Sequence, residues 1–158
     1  NGEYEIIEAE IIETSELIDK GARKGNIKAL GFYISKNNDF YFKDFKIKMK
    51  NVPGYLFERF VRKELKIFYT QSIYRTPPGD NLNDFYEGDF YWDGSSNLVI
   101  QVEFSSDSFY KGSQKNIEVS YQKLSWKATN YLTTDTKNIN SPPGGQSQDR
   151  PAMVLIFE

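Results

Sequence analysis

Residues 90–104 read FYWDGSSNLVIQVEF, and this stretch decides the fold class. An aromatic triplet runs into a tight polar turn, and a segment with a two-residue rhythm follows the turn. Apolar residues occupy one phase of that rhythm: Leu98, Ile100, Val102 and Phe104. Such alternation is typical of a β-strand with one buried face. The stretch therefore predicts a turn and a strand whose apolar face lies in a core.

Similar patterns recur along the chain and predict further strands at 4–12, 27–35, 40–50, 117–126 and 152–158. Residues 14–21 predict one or two helical turns, because Thr14 or Ser15 can cap a helix and Gly21 can end it. Proline- and glycine-rich segments at 76–89 and 134–149 predict long loops. Many short strands with turns between them favour an all-β fold, an antiparallel β-sandwich of jelly-roll type.

The composition limits the classes of function. At 158 residues the chain is long enough for one domain with a sizeable core, so we expect residues 1–158 to form a single module. Twenty basic and 22 acidic residues are mixed along it, which argues against a nucleic-acid partner. Cysteine and histidine are absent, which excludes disulfides, cysteine-based zinc sites and histidine-dependent triads. No apolar run is long enough for membrane insertion by a helix. The abrupt Asn1 start and the apolar final strand predict a module excised from a longer protein.

Aromatic residues are the candidate ligand-binding groups, because sugar rings stack on aromatic faces. Trp92 either covers the core at the end of the sheet or forms, with Tyr91, a platform at the mouth of the sandwich. Trp126 leaves the same two alternatives open. Aromatic residues in or near loops are the remaining candidates: Tyr86, Tyr110 and Tyr131.

The acidic segment GDNLNDFYEGD at 79–89 suggests a calcium site, with Asp80, Asp84 and Asp89 as ligands. The spacing does not match an EF-hand, and Asp and Asn are also ordinary loop residues. For catalysis, Glu103 and Glu118 are the strand carboxylates to consider, and both fall on the polar phase, where a solvated surface explains them. With no catalytic motif, we expect a protein that is not an enzyme.

The stretch FYWDGSSNLVIQVEF also resembles the signature of a β-sandwich module of large secreted and cell-surface proteins of Bacteroidota. The segments IIETSELIDKGARKGNIKALGFYI, LKIFYTQSIY and RPAMVLIF are similar to its early, middle and terminal segments. Two positions depart from that pattern: Glu103 stands where many members have cysteine, and Ala152 where many have asparagine. The resemblance implies an extracellular or cell-surface, non-catalytic module, often exported by type IX secretion and attached to adhesins, proteases or polysaccharide-degrading enzymes. It implies no particular ligand.

Two functions follow as expectations. The first is a carbohydrate-binding module that binds a polysaccharide through aromatic residues. The alternative is an adhesive or structural module whose partner is a surface protein or a neighbouring domain. A glycan-binding module should line one surface with two or three exposed aromatic residues, whereas a spacer should bury its tryptophans. The aromatic-rich loops favour the first.

Overall fold

A computed structural model describes residues 4–37, 41–53, 65–106, 117–125, 128–134 and 145–158. Within these ranges the chain forms antiparallel strands and one short helix. In chain order the elements are β1 (Tyr4–Ile12), α1 (Thr14–Asp19), β2 (Gly25–Asn37), β3 (Tyr41–Val52), β4 (Lys66–Arg75), β5 (Gly79–Asp84), β6 (Phe90–Trp92), β7 (Asn97–Ser106), β8 (Ile117–Val119), β9 (Tyr121–Lys123), β10 (Thr129–Thr134), β11 (Gly145–Ser147), β12 (Asp149–Pro151) and β13 (Met153–Phe157). The predicted all-β antiparallel fold is confirmed, and the jelly-roll connectivity stays a prediction. No helix in the described ranges is long and apolar enough to cross a membrane.

The strands form two main sheets. The larger sheet has the order β11-β10-β1-β7-β3-β4. The smaller sheet is built around β2, with β13 and β8 along one edge of that strand and β5 and β6 along the other. A separate pair, β9 with β12, continues directly from β8 and into β13.

One hydrophobic core joins the two sheets. Leu98 and Ile100 of β7 are fully buried in it, together with Ile27 and Leu30 of β2. Val102 and Phe104 are half-buried and pack against the same core. The predicted apolar face of β7 is therefore confirmed, and apolar burial between the sheets is the main stabilising contribution.

A bulge in β3 changes the face on which its residues lie. Asp44 has a φ of 50°, and the pairing of β3 with β7 shifts between Lys43 and Lys46. Phe42 and Phe45 consequently both reach the core although they are three residues apart. This is the local effect of one extra residue in a strand.

Strand β5 lies inside the segment that the sequence predicted as a loop, so that prediction is wrong for residues 79–84. Asn83, which has a low intrinsic preference for strands, is buried there. Its Oδ1 accepts a 2.6 Å hydrogen bond from the Tyr74 hydroxyl, and its Nδ2 donates to the Leu30 carbonyl at 3.0 Å. Because both ends of the amide are paired, the asparagine is accommodated in the core.

Side chains stabilise the predicted turn at residues 93–97. Asp93 accepts hydrogen bonds from the Ser96 hydroxyl and from the backbone N–H groups of Ser95 and Ser96. The hydroxyl bond above all, and the two backbone bonds with it, lower the pKa of the Asp93 carboxyl. Gly94 has a φ of 81°, and a Cβ at this position would lie 2.9 Å from Lys24 Cβ. Glycine is therefore required here on two counts.

Helix α1 depends on that turn. Its N-cap residue, Glu13, provides no side-chain hydrogen bond, which corrects the prediction that Thr14 or Ser15 caps the helix. Asn97 Oδ1 instead accepts a 2.9 Å hydrogen bond from the Thr14 N–H. At the other end Gly21 N–H donates to Ile18 O and Ala22 N–H to Leu17 O, the Schellman pattern, so the predicted stop at Gly21 is confirmed.

Candidate functional site

The adjacent aromatic residues Tyr91 and Trp92 point to opposite faces of β6. Trp92 has 0% of its surface exposed, and its indole Nε1 donates a 2.8 Å hydrogen bond to Ser96 O. Its ring meets Phe157 edge-on at a centroid separation of 6.1 Å. The platform interpretation of Trp92 is therefore wrong, because a buried ring offers no face to a ligand. Tyr91 is 55% exposed on the outer face of the smaller sheet.

Tyr86 lies elsewhere, at the β4 edge of the larger sheet. Its ring is exposed and packs against Tyr69 at 5.6 Å. Its hydroxyl accepts a hydrogen bond from Thr70 N–H at 2.9 Å and donates to Thr70 O. Tyr86 and Tyr91 therefore do not share one surface.

Tyr110 and Trp126 lie outside the described residues, and for Tyr131 the description covers only the backbone, which pairs with Glu8 and Gly145.

The calcium site predicted from Asp80, Asp84 and Asp89 is not formed. No group of three or more acidic side chains in the described part of the chain could hold a metal ion. Asp80 and Asp84 both belong to the extended strand β5, four residues apart, a separation of about 13 Å. Calcium needs its oxygen ligands around one point at 2.3–2.6 Å, so these carboxylates are too far apart.

The solvated surface predicted for Glu103 is also wrong. Glu103 is buried, and its Oε1 lies 2.7 Å from Lys48 Nζ. Gln101 Nε2 donates to the same oxygen. The ion pair with Lys48 and the hydrogen bond from Gln101 therefore explain the buried Glu103 carboxylate structurally. The side chain of Glu118, the other strand carboxylate, lies outside the described part of the chain.

The outer face of the smaller sheet gathers exposed aromatic, aliphatic and acidic residues. Pairing with β2 places these side chains on it: Tyr33, Asp80, Leu82, Asp84, Tyr91 and Val154. Tyr33 is 47% exposed, and Leu82 and Val154 are each about half exposed. Asp80 and Asp84, predicted as metal ligands, here lie beside Tyr33 and Ala29 across the β2–β5 pair. We call this surface the outer face.

A groove of about 200 Å³ crosses the outer face, with Gly31 in its floor. Leu82 and Val154 pair with Gly31 from the two sides and form the walls. A Cβ on Gly31 would lie 3.1 Å from Asn81 O and 3.3 Å from Leu82 Cδ1. The missing side chain therefore provides the depth of the groove and permits close approach to the backbone.

A larger cavity of about 570 Å³ lies beneath α1, and the sequence did not predict it. Its walls include Leu17 and the inward side chains Met153, Leu155 and Phe157 of β13, which are only half-buried. Leu17 and β13 are far apart in the sequence, so no local pattern shows that they come together. The stop of α1 at Gly21 is the one local signal, because it directs the chain along the cavity mouth.

Arg150 closes one end of this cavity. It is 4% exposed, and its guanidinium donates to both carboxylate oxygens of Glu16 and, at 2.9 Å, to Ile11 O. A more distant contact joins it to Gln122 Oε1 at 3.4 Å. The planar fork of arginine suits this two-point pairing, so Glu16 and Arg150 neutralise each other.

Glu10 is a buried carboxyl on the inward face of β1. Burial raises the pKa of this carboxyl well above its usual range, and Glu8 adds to the rise. The Thr129 hydroxyl, which donates to Glu10 Oε2, and the charge of Arg150 act in the opposite direction. Glu10 is therefore held protonated to a higher pH than an exposed glutamate.

This pKa predicts a loss of stability with rising pH. The folded state retains the Glu10 proton after the unfolded state has released it, so the free energy of unfolding should fall between the ordinary glutamate pKa of about 4.3 and the raised pKa of the folded state. Urea unfolding across pH 4 to 8 measures this slope. Glu10→Gln should flatten it, whereas Glu87→Gln at an exposed position should leave it unchanged. Equal slopes for wild type and Glu10→Gln would contradict the assignment.

Comparisons of the chain with protein-family models, with curated proteins and with solved structures find no match.

Proposed function

We propose that the protein is a non-catalytic carbohydrate-binding module that holds a polysaccharide chain along the outer face. The observation that carries this proposal is the shared exposure of Tyr33 and Tyr91 on one sheet face. Tyr91 pairs with Asn26, and Tyr33 is seven positions after Asn26 along β2. The two rings are therefore roughly 20 Å apart along the strand, a spacing that suits an extended ligand.

The chemistry of the outer face fits neutral sugars. Tyrosine rings offer apolar faces to the C–H groups of a sugar ring and a hydroxyl at the edge. Asp80 and Asp84 are exposed beside them and can accept hydrogen bonds from sugar hydroxyls. The groove over Gly31 lets a chain approach the sheet between Leu82 and Val154.

Binding should weaken when either exposed ring is removed. We expect Tyr33→Ala and Tyr91→Ala each to weaken binding of a soluble plant or algal polysaccharide about tenfold, since an aromatic contact contributes about 0.5–1.5 kcal/mol beyond its buried area. Titration calorimetry of a polysaccharide panel measures the affinity. Tyr121→Ala is the matched control, because Tyr121 is 65% exposed but belongs to β9, outside the smaller sheet.

Two results would contradict the proposal. In the first, no polysaccharide in the panel binds the wild type. In the second, Tyr121→Ala weakens binding as much as the outer-face variants do. Gly31→Leu offers a further check, because its side chain would occupy the groove without removing an aromatic ring.

The adhesive alternative has one observation in its favour. Leu82 and Val154 are aliphatic, and exposed aliphatic side chains around a groove are typical of protein-binding surfaces. Under this alternative no glycan binds, and Leu82→Asp abolishes association with a protein partner. The resemblance at residues 90–104 supports an extracellular or cell-surface location for either function. We accordingly propose that the protein is exported by type IX secretion.

A further inference from the structure

The cavity beneath α1 opens between the two sheets along the β13 edge. Met153, Leu155 and Phe157 belong to the inward face of β13 and contribute to the core, yet each keeps part of its surface open to the cavity. Ligand sites typically have volumes of about 300–1,000 Å³ and combine apolar walls with a few polar groups. The cavity, at about 570 Å³, matches that description.

The side chains at the mouth of the cavity are mostly cationic. Lys20, Arg23 and Lys24 lie along it, beyond Asp19, the last residue of α1, and Glu158 is the acidic residue beside them. No hydrogen bond or ion pair joins the side-chain charges of Lys20, Arg23 and Lys24 to another of the described residues. Glu16 and Arg150, deeper in the cavity, already neutralise each other. The mouth therefore has an excess of positive charge on a chain whose formal net charge is −2.

We propose that this cavity binds a small anionic amphiphile. The apolar body of the ligand lies between the sheets against Leu17, Leu155 and Phe157, and its carboxylate or phosphate head lies at Lys20, Arg23 and Lys24. Apolar burial supplies most of the affinity, and the cations select the charge of the head group. This site is separate from the outer face, so it does not depend on glycan binding.

Trp92 provides a direct readout of the cavity. Its buried indole packs edge-on against Phe157, a cavity wall, so a ligand that displaces Phe157 alters the surroundings of the indole. The chain has two tryptophans, and Trp126→Phe leaves Trp92 as the single indole. Fluorescence and the indole N–H resonance of Trp92 then both report occupancy.

The test compares four ligands with a common ten-carbon chain, each below its micelle-forming concentration: decanoate, decyl phosphate, decyltrimethylammonium and decyl glucoside. We expect a saturable Trp92 shift with one or both anions and at least tenfold weaker binding of the cation and the glucoside. The two anions distinguish a carboxylate from a phosphate head group. Equal affinity for decyltrimethylammonium and decanoate, or no saturable shift with either anion, would overturn the proposal.

Variants locate the site. Lys20→Gln/Arg23→Gln should weaken anion binding about tenfold, since each exposed ion pair contributes up to about 1 kcal/mol. The matched control, Lys28→Gln/Lys66→Gln, removes the same charge from exposed lysines elsewhere and should change affinity less than twofold. Ala22→Phe should weaken binding by filling the cavity from its half-buried wall. Unchanged binding by both cavity variants, or an equal loss in the control, would place the ligand elsewhere and refute the assignment.

Discussion

Trp92→Ala should lower the free energy of unfolding by about 3–5 kcal/mol, the usual cost of truncating a large aromatic side chain in a core. Among the described residues Trp92 is the largest fully buried side chain, and it contacts Phe157 from the opposite edge of the smaller sheet. Its truncation also leaves the Ser96 carbonyl without the indole donor. Because small domains are stable by only about 5–15 kcal/mol, a loss of this size removes much of the total.

Urea unfolding followed by far-ultraviolet circular dichroism measures this loss. Tyr91→Ala is the matched control, since the neighbouring ring is exposed and its loss should cost less than about 1 kcal/mol. Trp92→Phe retains most of the apolar contact but not the donor, so we expect an intermediate cost of about 1–3 kcal/mol. A loss below 1 kcal/mol for Trp92→Ala would contradict the burial of the ring.

Arg150→Ala should destabilise the protein by about 3 kcal/mol. The substitution removes the partner of Glu16 and the donor to Ile11 O while leaving both acceptors in a largely buried setting. Breaking one side of a buried ion pair typically costs 3–5 kcal/mol, and the partial exposure of Glu16 places this pair at the lower end. Removal of the positive charge should also raise the pKa of Glu10 further.

A double-mutant cycle isolates the Arg150–Glu16 interaction. The double variant Arg150→Ala/Glu16→Gln should lose less stability than the two single variants added together, because the second substitution removes the unpaired charge. Arg75→Ala, at an exposed arginine over the Tyr41 ring, should cost under about 1 kcal/mol. Strict additivity in the cycle would show that the pair contributes no coupling energy.

Local patterns were sufficient for much of the fold. Alternation identified the buried side of β7. Elements that depend on distant partners were not predictable in this way. The strand at 79–84 exists because Tyr74 and Leu30 pair with Asn83, and neither partner can be read from the segment DNLND itself.

The same contrast between local patterns and distant partners applies to the candidate surfaces. Spacing alone could not decide whether Tyr91 and Trp92 cover the core or face a ligand, since the pairing of β6 with β2 determines which ring is covered. Tyr33 was missed because alternation marks it only as a polar-phase strand residue. The cavity depends on α1 and β13, which come together only in the folded chain.

The Tyr86 hydroxyl has a consequence beyond its own position. In the described structure β4 is the last strand of the larger sheet, and Tyr86 occupies both the N–H and the carbonyl of Thr70 near the middle of that strand. An incoming strand from a second molecule would need those two groups to extend the sheet. A side chain in their place therefore interrupts the template for edge-to-edge aggregation, and it achieves this without proline or an added charge.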